Sequence, residues 1–442
     1  MKFKSAQDRP SNWTELKLVE VCKTFTSGGT PSRKKSEYFA DGTIPWVKTK
    51  ELNDGLVTEA EEWITQEALD NSSAKLLPKD TVLLAMYGAT VGKLGVLAFE
   101  SACNQACAAL VLEDGVADYR FIYYLLMNHR KAIVAQATGG AQQNLSGDAI
   151  KNFIFDFPSF QEQTVIADSL WMLDRKIQIN KELSKTLEDI AQTIFKSWFI
   201  DFDPVKAKMA GEKPVGMDDA TAELFPNSME DSELGLIPSG WFAGNLADVF
   251  SLQGGYSFKS SSWAERGVPV VKIGSVKPGL VDLNQVSYIS QELAANVSSS
   301  FKLESGSLVI GLTGYVGQVG LVRTHFPAPL LNQRVARFGG VDGEWRVPFT
   351  YCLTRRLEFK KAVENAAIGS AQQNVSIAQI LGLPHAVPPF AARAQFDDLF
   401  ENSFRKIIAL ADENEILGQL RDALLPRLIS GELQIPEEML AS

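Results

Sequence analysis

Gly88-Ala-Thr-Val-Gly92-Lys93 is the segment of this chain that looks most like catalytic equipment, because glycines around a lysine can cradle a phosphate. The spacing argues against that chemistry. A phosphate-binding P-loop has four residues between its glycines and a Ser or Thr after the lysine. This segment has three, followed by Leu94, and reads better as a turn between strands. Cys103 and Cys107 lie four apart and could seed a metal site, but the three histidines (His129, His325, His385) are scattered. The expectation is buried apolar thiols. A serine nucleophile elbow, a zinc-protease helix, a kinase motif set and an amino-methyltransferase Asn/Asp-Pro-Pro-Tyr loop are all missing from the sequence. What the glycine-rich stretches do carry is Gln, Asn, Ser, Thr, Lys and Arg. Such side chains recognise base edges and phosphates without bond chemistry. For Gln142-Gln143-Asn144 and Gln372-Gln373-Asn374 a turn-capping role is expected instead.

These segments occur twice. Gly28-Gly29 returns as Gly254-Gly255, and Gly55-Leu-Val57 as Gly279-Leu-Val281. Gly88–Gly92 returns one residue shorter as Gly314–Gly317, Asn104-Gln105 as Asn332-Gln333, and Ala141-Gln-Gln-Asn-Leu145 as Ala371-Gln-Gln-Asn-Val375. A period near half the chain means two copies of one domain, whereas solenoids repeat every few tens of residues. Two related domains on one polypeptide can read two related but different targets.

The chain has 442 residues and a formal charge of −10. The acid is unevenly placed. Residues 159–240 contribute −7 and 391–442 contribute −5, while 1–158 carry −2 and 241–390 carry +4. Neither repeat is strongly basic, so any DNA contact must rest on local clusters such as Arg33-Lys34-Lys35. No apolar run is long enough to span a bilayer, and the N-terminus lacks a signal peptide's apolar stretch. A cytoplasmic location with no membrane partner is expected. The four cysteines do not suggest a disulfide framework.

Each repeat reads as mixed α and β. Strands are expected at 81–85, 94–98 and 108–112, and again at 307–310, 319–322 and 335–338, with helices at 119–130 and 348–365. After each repeat the period changes to that of a long helix. Ile166, Leu170, Leu173, Ile177, Leu187, Ala191, Ile194 and Trp198 form one seam, interrupted at Asn180 and Ser184. Phe396, Phe400, Ile407, Leu410, Leu417, Leu424 and Leu428 form the second, interrupted at Asn414. Each helix needs a partner, and the matched asparagines predict that the two pair with one another. Residues 203–240, rich in proline and acid, read as a structured-looking but irregular linker.

With these features in place, the chain closely resembles the specificity (S) subunits of Type I restriction–modification systems, the HsdS family. The resemblance is carried by Ser27-Gly-Gly-Thr-Pro-Ser-Arg33, Gly139-Gly-Ala-Gln-Gln-Asn-Leu-Ser146, the Ser197–Lys208 segment, the Ser232–Trp241 segment and Leu424-Leu-Pro-Arg-Leu-Ile-Ser-Gly-Glu-Leu433. They occur in order over nearly the full length. The resemblance implies an α+β fold with two pseudo-repeated target recognition domains, separated by a pair of long antiparallel coiled-coil helices. The expected division is a first recognition domain at 1–158, a central helix at 159–202 and a linker at 203–240. A second recognition domain follows at 241–390, then a distal helix at 391–431 and a tail at 432–442. It further implies a non-catalytic subunit that reads a bipartite site on double-stranded DNA and docks two methyltransferase subunits and restriction subunits. S-adenosylmethionine, ATP and Mg would sit on those partners, with no cofactor or metal on this chain. Trp198-Phe199 and the acidic connectors would then be exposed docking surfaces for protein.

By position in the glycine-rich loops, the expected DNA contacts in the first copy are Thr30, Ser32, Arg33, Lys34, Lys48, Lys50, Tyr87, Thr90 and Lys93. In the second they are Tyr256, Lys259, Ser260, Lys272, Ser275, Tyr315 and Gln318. Pro31-Ser32-Arg33 is matched to Ser257-Phe258-Lys259, so the halves should read different bases. Two other readings are weighed: a protein scaffold that never meets DNA, and a self-contained enzyme with two catalytic domains. The enzyme would need acid–base or metal groups shared by both copies. Glu51 has Gly or Ser near its aligned place, and no histidine repeats.

Overall fold

A computed structural model describes residues 2–3, 10, 12–137, 144–341, 345–369 and 373–440. The chain divides into two compact units, Met1–Ile177 with Ile416–Ser442, and Gln178–Glu415.

The duplication is one of fold. In the first unit a five-stranded sheet runs in the order 22–27, 107–112, 82–85, 94–97, 55–57. In the second the order 251–254, 335–339, 308–311, 319–321, 279–280 repeats it. In both, the last pairing is parallel and the others antiparallel. A smaller sheet accompanies each. Ile44–Val47 pairs antiparallel with Trp63–Ile64 and parallel with Ala102–Cys103. Val268–Val271 pairs antiparallel with Ser287–Ile289 and parallel with Leu330–Leu331. The central strands are apolar on every residue, and Val82–Ala85 and Leu308–Gly311 are buried throughout. Helices Tyr119–Asn128 and Val347–Thr354 cover one face. Asp118 caps the first by accepting from the Arg120 N–H.

The two long helices are α1 (Phe160–Phe199) and α2 (Phe390–Ile429). In the first unit, Ile166, Ala167 and Leu170 of α1 share a core with Leu425, Leu428 and Ile429 of α2. There Asp174 accepts from Arg421 at 2.6 Å and from the Tyr124 hydroxyl at 2.6 Å. In the second unit, Phe195 of α1 packs on Phe396 of α2. Residue numbers rise on one helix as they fall on the other, so the segments are antiparallel in each unit. Asn180, 1% exposed, donates to Asn414 Oδ1 and Glu413 Oε2, both at 3.0 Å. The two interruptions therefore meet. A buried amide satisfied only by a polar partner fixes register at a cost in stability.

Two expectations fail. Trp198 and Phe199 are buried among Phe225, Trp241, Phe349 and Phe396, so they form core and not a docking surface. The reason lies in residues 203–240, which fold back onto the helix and form regular elements where an irregular linker is expected. They form helices Asp203–Met209 and Asp219–Glu223 and a hairpin of Met229–Ser232 with Gly235–Pro238. Val205, Met217, Ala222, Phe225 and Ile237 supply the apolar cover.

Asp397 makes the second unit's stability depend on pH. It is 7% exposed and accepts from the Phe349 N–H at 2.7 Å, a donor in the first turn of a helix. Burial pushes its carboxyl up to about 7, against the opposing pull of that N–H and of Arg346 and Arg393. A carboxyl raised on folding contributes fully in acid and loses its contribution as pH climbs toward that value. Asp397→Asn keeps the acceptor and removes the charge. Its stability advantage over the parent should grow by roughly 2–3 kcal/mol between about pH 5 and about pH 8. Urea unfolding at both pH values measures this, and a pH-independent difference would refute it.

Candidate functional site

Backbone hydrogen bonds gather most of the expected contact residues onto one edge in each unit. In the first, Gly29 N–H donates to Cys103 O at 2.9 Å, Asn104 N–H to Val47 O at 2.9 Å, and Met86 N–H to Ala106 O at 2.8 Å. Residues 28–30, 47–48, 86–87 and the turn 104–106 thus meet. In the second, Tyr256 N–H donates to Leu331 O at 2.8 Å, Asn332 N–H to Val271 O at 3.2 Å, and Leu312 N–H to Arg334 O at 3.0 Å. The same four segments meet there.

These bonds also correct the alignment of the copies. Gly29 and Tyr256 make the equivalent bond, so Gly28 corresponds to Gly255 and Ser27 to Gly254. A Cβ on Gly28 would lie 2.2 Å from Cys103 O, and one on Gly255 would lie 2.3 Å from Asn332 O. Close backbone approach demands glycine at these two places. Pro31-Ser32-Arg33 therefore matches Phe258-Lys259-Ser260. Pro31 and Phe258 are both buried, as the corrected register requires.

In the first copy Arg33, Lys48, Lys50 and Lys93 are tied to carboxylates. Arg33 meets Glu62 at 2.6 Å and stacks on Phe39 and Trp46, 4.4 and 4.9 Å from their ring centres. Lys48, its side chain 15% exposed, pairs with Glu62, and Lys50 pairs with Glu61. Arg33 and then Lys48 hold the Glu62 carboxyl below the usual range, and Lys50 does the same for Glu61. Glu51 accepts from the backbone N–H groups of Lys48 and Glu61. Lys93 donates to Asp54 at 2.7 Å, and Arg130 reaches the same carboxylate. Burial pushes the Asp54 carboxyl up, but Lys93, the Leu94 N–H and Arg130 outweigh it and hold it low. Thr30 donates to Gln105, while Thr90 donates to Tyr87 O at 3.2 Å. Tyr87 is half-buried and bridges to Asn144, whereas Ser32 and Lys34 are exposed.

The second copy is arranged differently. Lys272 donates to Ser287 Oγ at 3.2 Å and lies over Trp263, 4.5 Å from the ring centre. Lys259 and Ser260 are exposed, Tyr315 is 62% exposed, and Gln318 is half-buried. Tyr256 packs on Phe258 and Phe301. Ser275 does not belong to the surface: it is fully buried and donates to Gln285 O at 2.7 Å.

Gly88–Gly92 joins strands Val82–Ala85 and Leu94–Leu97, with positive φ at both glycines, as do Gly314 and Gly317. Asn144 and Asn374 tie that turn to the chain beyond by bridges to Tyr87 and Thr313. Gln142, Gln143 and Gln372 lie outside the described residues. Cys103, Cys107 and Cys352 are buried free thiols and Cys22 is half-buried. Among the described residues no group of three potential ligands could hold a metal ion, and no helix is long and apolar enough to cross a membrane.

The expected set omits Gln105, Gln333 and Arg334, all exposed on the shared edge. The repeated Asn-Gln pair was the available signal for the two glutamines. Nothing local marked Arg334, which stands where the first copy has Ala106.

Comparison with known proteins fits this duplicated geometry. Residues 10–189 match the family model described as Type I restriction modification DNA specificity domain. The Type I restriction enzyme MjaIX specificity subunit of Methanocaldococcus jannaschii is 28% identical over 97% of this chain and 95% of its own length. Over nearly its whole length the chain is therefore similar to specificity subunits of Type I restriction–modification systems. Another relative, the HindI specificity subunit of Haemophilus influenzae, is 25% identical over 71% of this chain and 77% of its own. The crystal structure of a Type I system S subunit from M. genitalium shares the fold. It has a TM-score of 0.60 at 18% identity and covers 96% of this chain and 99% of that one.

Proposed function

We propose that this chain is a specificity subunit of a Type I restriction–modification system and reads a bipartite sequence on double-stranded DNA, one half with each recognition domain. The observation that carries this reading is the edge built twice from the same four segments, with different side chains displayed on each. Amide and guanidinium groups such as those of Gln105, Arg33, Gln333 and Arg334 have the donor–acceptor pattern that distinguishes base pairs in the major groove. Thr30, Ser32, Lys34, Lys48, Lys50, Tyr87, Thr90 and Lys93 in the first copy would join Arg33 at the interface. Tyr256, Lys259, Ser260, Lys272, Tyr315 and Gln318 would serve in the second.

The domains run at 1–158 and 241–390, with spacer helices at 159–202 and 391–431, an ordered strap at 203–240 and a tail at 432–442. In this reading the paired helices act as a ruler that fixes the unspecified spacer between the half-sites, and Asn180 with Asn414 sets its register. The chain itself is non-catalytic and cytoplasmic. Two methyltransferase subunits carry S-adenosylmethionine and modify a flipped adenine, and restriction subunits with ATP and Mg supply translocation and cleavage.

Exchanging residues 12–158 for the matching domain of another specificity subunit should change one half of the methylated sequence and leave the other half and the spacer intact. Methylome sequencing of a host expressing each version reads this directly. A change in both halves, or methylation independent of this chain, would refute the reading.

A further inference from the structure

Superposing the two edges by their hydrogen bonds exposes a charge difference at equivalent positions. Lys48 corresponds to Lys272, since each opens the short helical turn that follows the matching strand. Glu51 then corresponds to Ser275, the third residue of that turn. In the small sheets Ile44 faces Ile64 and Val268 faces Ile289, which places Glu61 and Glu62 opposite Val286 and Ser287. Three carboxylates around Lys48 are thus replaced by neutral side chains around Lys272. Arg334 adds a cation where the first copy has Ala106. Asp54, which holds Lys93 and Arg130, corresponds to Pro278, because Gly55 and Gly279 occupy the same place in the parallel pairing. Among the described residues neither Lys272 nor Arg334 has a carboxylate partner.

We propose that the second recognition domain supplies most of the sequence-independent grip on DNA phosphates through Lys272 and Arg334, while carboxylates on the first domain's edge neutralise Arg33, Lys48, Lys50 and Lys93. The inference rests on the DNA-reading function above and divides its labour. A lysine already paired to a carboxylate gains little from a phosphate, because it must give up one anion for another. A lysine resting on an aromatic ring and a hydroxyl gains a full new ion pair and releases a counterion from the duplex. The first domain would then contribute chiefly by base contacts, with Lys34 left as its exposed cation, and its Glu61–Glu62 pair would suppress binding to irrelevant sequence.

The test uses the full chain with the subunits that co-purify with it, and duplex DNA lacking the target sequence. The logarithm of affinity is measured against the logarithm of salt between ~50 and ~200 mM, and each lost phosphate contact should flatten the slope by about 0.9. K272Q/R334Q should flatten it by nearly two such steps, and the charge-preserving K272R/R334K should restore it. R33Q/K48Q should flatten it by less than half as much, and E61Q/E62Q should steepen it. Equal flattening by the two cation pairs, or no change in E61Q/E62Q, overturns the division of labour while leaving DNA reading intact. Absence of any salt-dependent binding by the unaltered complex would instead remove the parent reading and this inference with it.

Discussion

Truncating Phe195 to alanine should lower the stability of the second unit by about 3–5 kcal/mol. Phe195 is fully buried, and its ring lies 5.3 Å from Phe199, 5.2 Å from Phe349 and 5.7 Å from Phe396. Those partners come from three places: the same helix, the helix that covers the second sheet, and α2. One side chain therefore fastens both long helices to the helix that covers the second sheet. A whole domain is typically stable by only about 5–15 kcal/mol, so the loss would take a large share. Hydrogen exchange across 178–415 resolves it from the rest of the chain. Protection should fall throughout that range, and a change below about 1 kcal/mol would show that the cluster repacks around the gap. Phe195→Leu, which leaves a smaller void, should cost less than half as much.

Gly255→Ala should disable the second recognition edge, whereas Gly254→Ala should be tolerated. The neighbours look equivalent in the sequence. A Cβ on Gly255 would sit 2.3 Å from Asn332 O and 2.6 Å from Leu331 O, both backbone atoms that cannot step aside. On Gly254 it would meet only Ile377 at 3.5 Å, an ordinary contact. Relieving the first clash means moving Tyr256 away from Leu331 and Gln333, whose backbone bonds to it assemble the edge. Overpacking of this kind costs about 1–3 kcal/mol, and it falls on the binding surface. Gly255→Ala should lose methylation that depends on the second half-site, with a modest drop in melting temperature. Gly254→Ala should keep both. If the two behave alike, the corrected register between the copies is wrong.

The duplication, the mixed α/β character of each copy and the two long helices are legible from residue order alone. Strand ends fall within a residue or two of expectation because their apolar runs are bounded by glycine and charge. The polar interruptions at Asn180 and Asn414 were enough to foresee that the helices meet, since a seam amide demands a polar partner. The heptad spacing draws the seam too narrowly. Steps of three and four pick out Ala191, Ile194 and Trp198 but skip Phe195, because a heptad assumes one neighbour. At its C-terminal end α1 has two, α2 and the second domain, so its apolar face widens.

Pattern could not show that residues 203–240 return to cover Trp198 and Phe199, for prolines and acids look the same in a free linker and in an ordered strap. Nor could it place the glycine pairs in register, because that depends on which carbonyl stands behind each Cα. Charge pairing was hidden for the same reason. Glu61 and Glu62 lie more than ten residues from Lys48 along the chain, yet a two-strand pairing brings them to it. Residue order is enough to show which segments repeat and which residue types they display. Which cations are already satisfied depends on the folded arrangement, because an ion pair is a matter of ångströms in space and not of distance along the chain.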